Sequence, residues 1–289
     1  VATGYPADVL KPLVLSLREH SNAPLVIVAN AGSGLEKAFA GRDVVVYEVP
    51  AAAGYRPYPA LARLEYYLDI LAGLPGSVGR MLFVDSRDVV FQADPFAGLH
   101  DAALQFFAEN DDTGSWKLTT TNGRWARMML PAQMSRALAG KPIVNGGVIA
   151  GTPSGLAAMC RAKLDIARQT HEWTKHTTGL DNISTNVVAH QGLVQGSITT
   201  PNHTHVANIY RDTPMSLDGE GHVVSPGGRV CPIVHMYDRR PDLLAAINTR
   251  YGVSGAGLVL GQDRSLTPPD PFANARHWLK LARIRVMGR

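Results

Sequence analysis

The chain is poor in cysteine and lacks long apolar runs, and each shortage closes off a class of function. Its 289 residues hold only two cysteines, Cys160 and Cys231, far apart and outside any CxxC or Cys/His metal spacing. A disulfide framework and a zinc site are therefore not expected; buried structural thiols in a reducing, cytoplasmic compartment are. No stretch approaches the run of about 18 apolar residues needed for a membrane-spanning helix, and residues 1–6 do not have the form of a signal peptide. Internal repeats and low-complexity segments are also missing.

The formal net charge of +4 and pI near 9.1 could suggest nucleic acid, but the bases are scattered and no RNA- or DNA-binding motif accompanies them. Only residues 276–289 concentrate charge, setting five cations among Trp278, Leu279, Leu281, Ile284 and Val286. That pattern predicts a basic C-terminal helix docked on the core. The competing reading is a helix lying on the anionic inner face of a membrane, a peripheral contact. Nucleic acid is not an expected partner.

With 45% hydrophobic and 18% charged residues, the composition is that of an ordinary globular protein with a large core. The first half alternates apolar strands with amphipathic helices, which predicts a largely parallel sheet covered on both faces. Residues 1–3 read as a strand end, 25–29, 44–49 and 81–84 as strands, and 58–72 as a helix. A helix capped by Asp8 carries Leu10, Leu13, Val14 and Leu17. After Pro95 the pattern changes. Residues 104–109 and 143–151 read as strands, helices follow near Pro153 and from Asp181, and 197–237 reads as strands and turns broken at Asp218-Gly219 and Gly227-Gly228.

Chemistry concentrates where the strand 81–84 runs into Asp85-Ser86-Arg87-Asp88. Carboxylates at a strand end suit a divalent cation, and an interleaved arginine suits phosphate oxygens. Alternation puts Asp85 and Arg87 on one side and Ser86 and Asp88 on the other, so joint action of the carboxylates requires a bend. A solvated turn is the plain alternative. Against it, Met81 to Val84 and Val89 to Phe91 are apolar, and charges wedged between buried segments are costly unless paired or bound to an ion. His235, after an apolar strand and before Asp238, can complete a coordination sphere begun by carboxylates, or serve as a structural histidine. Asp181 is either a helix cap or a carboxylate facing the acceptor as general base or orienting group. The glycines after Asn30 lack the third glycine of a dinucleotide fingerprint and predict a turn. His203 and His205 lack neighbouring carboxylates and predict a loop.

In order and spacing these segments resemble the nucleotide-sugar-dependent glycosyltransferases of the GT-A fold, over most of residues 1–242. Thr3-Gly4-Tyr5-Pro6 is similar to the family's first strand and nucleoside-contacting loop, and Asp85 to Asp88 looks like its DxD region. Asn145-Gly146-Gly147 resembles the strand lining donor and acceptor, Asp181-Asn182 falls at an acidic motif, and Val234-His235 resembles the late segment whose histidine binds the metal. Arg87 departs from the pattern by standing where a DxD has its second carboxylate, which here falls one residue later.

The resemblance implies an α/β, Rossmann-type mixed sheet flanked by helices, forming one domain over residues 1–250. Residues 1–95 would be the nucleotide half, 96–250 the acceptor half and 251–289 a basic extension. It implies transfer of a sugar from a nucleoside diphosphate sugar to a hydroxyl acceptor with Mn²⁺ or Mg²⁺. Asp85, Asp88 and His235 would hold the metal, and Asp181 would act at the acceptor. Thr3, Gly4, Tyr5, Arg63, Asp85, Ser86, Arg87, Asn145, Gly146, Gly147 and Asn182 would contact substrate. The alternatives are a sugar-phosphate nucleotidyltransferase, whose glycine-rich basic loop is missing at Thr3 to Pro6, and a catalytically inactive nucleotide-sugar-binding module, which Arg87 keeps open.

Overall fold

The computed structural model describes residues 1–50, 62–109, 121–170, 178–210 and 212–254. They form a mixed α/β fold. Helix α1 (Ala7–His20) buries Leu10, Leu13, Val14 and Leu17 along one stripe, each contributing about 1.5–3 kcal/mol when fully withdrawn from water. Strand β1 (Leu25–Asn30) is followed by the short α2 (Leu35–Ala38) and by β2 (Val44–Val49), which pairs parallel to β1. Next come α3 (Ala62–Ala72), β3 (Met81–Val84), β4 (Val89–Phe91) and β5 (Leu104–Ala108).

Helices α4 (Thr121–Met129) and α5 (Ala132–Ala137) lead to β6 (Val144–Gly151). Helix α6 (Pro153–Arg168) starts where sequence chemistry dictates: Thr152 caps it by accepting from the Gly155 N–H, and Pro153 fills the first turn, where a missing N–H costs nothing. Helix α7 (Thr178–His190), β7 (Ser197–Thr200) and β8 (Val206–Asn208) follow. The hairpin β9 (Ser216–Leu217) and β10 (Val223–Val224), then β11 (Ile233–His235) and α8 (Pro241–Arg250), complete the described chain. No helix among the described residues is long and apolar enough to cross a membrane.

Two sheets matter for the site. One runs in the order β3-β6-β5-β7 and the other β4-β11-β8. Strand β6 lies antiparallel to both β3 and β5, and β11 lies antiparallel to β4, so the largely parallel pattern read from the first half holds for β1 and β2 but gives way to mixed sheets, as the fold class expected. The cause is burial on both faces. All five residues of β5 are buried, and a strand sandwiched between layers reads as a continuous apolar run whichever way its neighbour points.

Two smaller corrections follow. Residues 1–3 are not a strand: Thr3 and Gly4 form a turn, and the segment is tied to β1 by the Ala2 N–H donating to the Val28 carbonyl at 2.7 Å. Helix α7 begins at Thr178, so Asp181 lies inside its first turns and is not its cap. The basic segment 276–289 and the first residues of the helix expected over 58–72 lie outside the described residues. Both cysteines are buried and unbonded to each other, as expected.

Candidate metal centre

The acidic segment is the crossing point between the two sheets. Strand β3 ends at Val84, residues 85–88 turn, and β4 resumes at Val89 in the other sheet. The bend that joint action requires is therefore present. The Asp85 N–H donates to the Gly147 carbonyl at 2.7 Å, and the Asp88 carbonyl accepts from the Met236 N–H at 2.8 Å. One end of the turn is thus fastened to β6 and the other to the residue directly after β11.

His235, the last residue of β11, completes the group. Its Nε2 lies 3.6 Å from Asp85 Oδ2 and 3.8 Å from Asp88 Oδ1. One ligand atom from each of the three residues falls within 4.8 Å of the others. Two donors at right angles around a cation bound at about 2.1 Å stand roughly 3 Å apart, so a small inward adjustment would suit a divalent ion.

The tautomer is set as a ligand requires. Asn208 Nδ2 donates to the Ala108 carbonyl at 2.8 Å, which turns its Oδ1 towards His235 Nδ1 at 2.9 Å. With Nδ1 carrying the proton, Nε2 presents a lone pair to the carboxylates. That nitrogen is buried and makes no hydrogen bond. Met236, immediately after it, has φ 63. This left-handed conformation costs a non-glycine residue about 1–2 kcal/mol, and it lets the chain turn sharply enough to bond Asp88.

Gly147 floors the site. A Cβ there would come within 2.5 Å of His235 Nε2 and 2.7 Å of Asp85 Oδ2, so only glycine leaves the ligands in place. Asn145 supports it by accepting from the Gly147 N–H at 2.6 Å and donating to Glu109 Oε1 at 3.0 Å.

Charge accumulates unevenly. Burial and the neighbouring Asp85 and Asp238 raise Asp88 above the usual carboxylate value, against the pull of His235 and Arg87. Burial also works against ionised Asp85, but His235 and Arg63 outweigh it and hold that carboxyl well below the usual range. Burial opposes the His235 imidazolium, yet the facing Asp85 and Asp88 raise it above its ordinary value. Without a cation, two carboxylates and an imidazole must share too little positive charge. The Asp85 side chain is 41% exposed and that of Asp88 only 10%, so the open face is on the Asp85 side.

On that face stands a second cluster. Arg63 from α3 reaches Asp85 at 3.5 Å and pairs with Asp181. Lys163 from α6, 2% exposed, pairs with the other Asp181 oxygen at 2.8 Å and donates to Thr185 Oγ1 at 2.8 Å. Gly146 faces this group, since a Cβ there would lie 3.6 Å from both Asp181 Oδ2 and Asn182 Oδ1. Asn182 itself donates to Asn122 at 3.4 Å.

The remaining expected residues are placed as follows. Ser86 donates to the Val1 carbonyl at 2.9 Å, which brings the loop of Thr3, Gly4 and Tyr5 against the acidic turn. Gly4, at φ 79, makes that loop's turn. Arg87 is directed to Asp238 at 2.5 Å, and Tyr237 donates to its carbonyl at 3.1 Å. Arg87 therefore braces the turn from behind. The glycines after Asn30 form a turn and His203 lies in a loop, as read from sequence.

Lys163, Asn208 and Glu109 were not foreseen. For Lys163 a signal existed: it occupies the apolar stripe of Leu156, Met159, Cys160 and Ala167, where a cation needs a partner. No protein-family model matches the chain, and no curated protein matches it.

Proposed function

We propose that the protein is a glycosyltransferase of GT-A type, moving a sugar from a nucleoside diphosphate sugar to a hydroxyl acceptor, with Mn²⁺ or Mg²⁺ held by Asp85, Asp88 and His235. The observation that carries this reading is the His235 Nε2 atom, buried without a hydrogen-bond partner and facing two carboxylates over a glycine floor. Bound there, a divalent cation supplies Lewis-acid charge to the oxygens of the departing diphosphate. In the transfer the bond from anomeric carbon to phosphate oxygen breaks, the diphosphate keeps the electron pair, the acceptor oxygen bonds to that carbon, and the acceptor's hydroxyl proton passes to an oxygen of the departing diphosphate or to solvent.

The chain's own residues have distinct tasks. Arg63, beside Asp85, is placed to meet phosphate oxygens on the open face. Asp181 holds Arg63 and Lys163 with its two oxygens, which favours an orienting role over that of a general base. Gly146 and Gly147 keep that face free of side chains, allowing a sugar to lie close to the backbone. The loop of Thr3, Gly4 and Tyr5 is suited by position to the nucleoside. Because Asp88 supplies the second carboxylate and Arg87 turns to Asp238, the shifted motif keeps its ligand set. That favours an active enzyme over an inactive binding module.

The test is release or transfer of sugar from a panel of nucleotide sugars with Mn²⁺, Mg²⁺ or EDTA, beside calorimetry of nucleoside diphosphate binding. Turnover should require the divalent ion. Asp88→Ala should remove most of the metal dependence of nucleotide binding, and equal affinity in wild type and variant, with and without Mn²⁺, would take Asp88 out of the site.

A further inference from the structure

A cleft of about 680 Å³ is lined among others by Glu109, Asn202, Tyr210, Asp212, Pro226 and Arg229. Its volume is within the few hundred to about 1,000 Å³ typical of small-molecule sites. Two of its walls also carry the metal centre. Glu109, 7% exposed, holds Asn145, which in turn holds the Gly147 floor. Asn202 accepts from the Asn208 N–H at 2.8 Å and donates to the Asn208 carbonyl at 3.1 Å, so it braces the residue that sets the His235 tautomer. Asn202 Oδ1 also accepts from the His203 N–H at 2.9 Å. That bond holds His203 at φ 59, a strained conformation for a residue with a side chain.

We infer that this cleft is a binding site for a neutral saccharide, and on the sugar-transfer reading it is the acceptor subsite. Charge decides the ligand class. Among the described residues the lining carries two carboxylates, Glu109 and Asp212, one guanidinium, Arg229, the imidazole of His203, and no lysine. A phosphorylated or otherwise anionic ligand would find a single guanidinium among these residues and no cluster of cations, whereas Arg63 and Lys163 cluster at Asp181 with Arg63 beside Asp85. Hydroxyl groups suit the lining instead. Carboxylate, hydroxyl and phenol groups can bond a polyol, while Pro214, Pro226 and the Tyr210 ring offer flat apolar surface to its C–H faces. The division is consistent: diphosphate on the cationic side of the triad, sugar hydroxyls on the other.

Gly227 makes the inference testable. It lines the cleft, is exposed, lacks a positive φ, and a Cβ on it would meet no heavy atom within 4 Å. Gly227→Trp should therefore fold normally and fill the cleft without touching the triad. The experiment is ligand-observed NMR on the full chain in EDTA with methyl glucoside, maltose, lactose and cellobiose, and glucose 6-phosphate as the anionic probe. At least one neutral saccharide should show saturation transfer, the phosphate should not, and Gly227→Trp should abolish the signal. Silence from every neutral saccharide, preference for the phosphate, or a signal that survives Gly227→Trp would overturn the inference. Calorimetry with a nucleoside diphosphate and Mn²⁺ runs in parallel, and the Gly227→Trp affinity should stay within about twofold of wild type. If wild type binds no nucleotide, the sugar-transfer reading fails while the NMR result still decides the cleft.

Discussion

Replacing Gly147 by alanine tests the metal centre more sharply than removing a ligand, because it adds one methyl group and deletes nothing. Ordinary contact begins near 3.4 Å, whereas the new Cβ would stand 2.5 Å from His235 Nε2 and 2.7 Å from Asp85 Oδ2. The ring must retreat by about 0.9 Å and the carboxylate by about 0.7 Å, or the floor must sink. His235 has little freedom: it pairs with Val89 on one side and Asn208 on the other, and its Nδ1 is bonded to Asn208. Asp85 is the more exposed of the two and should swing outwards. Either movement opens the ligand set by a sizeable fraction of a bond length. Displaced or badly oriented ligands commonly lower metal affinity by about 10–100-fold, and overpacking costs about 1–3 kcal/mol of stability. Mn²⁺ titration followed by electron paramagnetic resonance, beside a urea melt in EDTA, separates the two effects. A folded variant that binds Mn²⁺ within about twofold of wild type would refute the assigned floor and, with it, the geometry of the centre.

Asn208→Leu should lower Mn²⁺ affinity by about 10–100-fold, while Asn208→Asp, which still accepts the Nδ1 proton, should lose less; equal losses in the same titration would show that Asn208 acts only through packing. The pH dependence follows from His235, held above its ordinary 6.5 by the facing carboxylates. In the metal-free protein its stabilising contribution is complete below the unfolded value and is lost as pH rises through the raised one. Metal binding has the opposite sign, because protons compete for Nε2, so Mn²⁺ affinity should fall as pH drops through that value. Melts with and without Mn²⁺ from about pH 5 to 9 should diverge towards high pH. Asp181→Asn leaves buried Lys163 with half its former partner and should destabilise the fold by about 3 kcal/mol. It should also lower turnover by about 10²-fold as Arg63 loses its orientation. Wild-type turnover and an unchanged melt would leave Asp181 without either role.

What could be read in advance depended on how far away each partner lies. Asp85 and Asp88 stand between apolar runs, and a carboxylate so flanked must find a counter-charge, so local sequence sufficed. His235 ends an apolar strand and was legible by type. Asn208 and Glu109 were not, because their significance lies in partners 27 and 36 residues away, His235 and Asn145, and in pairings that only the folded sheets create. Asp181 was placed correctly on a helix but given the wrong place within it. Arg63 is expected from the resemblance as a substrate contact, but its bond to Asp181 spans 118 residues of sequence, a distance at which no spacing argument works.

The Asp-x-x-Asp spacing of Asp85 and Asp88 has a structural basis in the crossing between sheets. Had residues 85–88 continued β3, alternation would have set Asp85 with Arg87 and turned Asp88 to the other face. The chain instead leaves one sheet at Val84 and enters another at Val89, and the turn places positions i and i+3 on the same side. Asp85 is fastened through its N–H to β6, which supplies the glycine floor. Asp88 is fastened through its carbonyl to Met236, directly after the histidine of β11. Each carboxylate is thus registered against the strand that brings the next part of the site. Arg87, left on the outside of the turn, pairs with the buried Asp238 and keeps that carboxylate compensated behind the centre. Two intervening residues are what a carboxylate pair spanning two sheets requires, and the arginine among them belongs to the frame that holds the pair together.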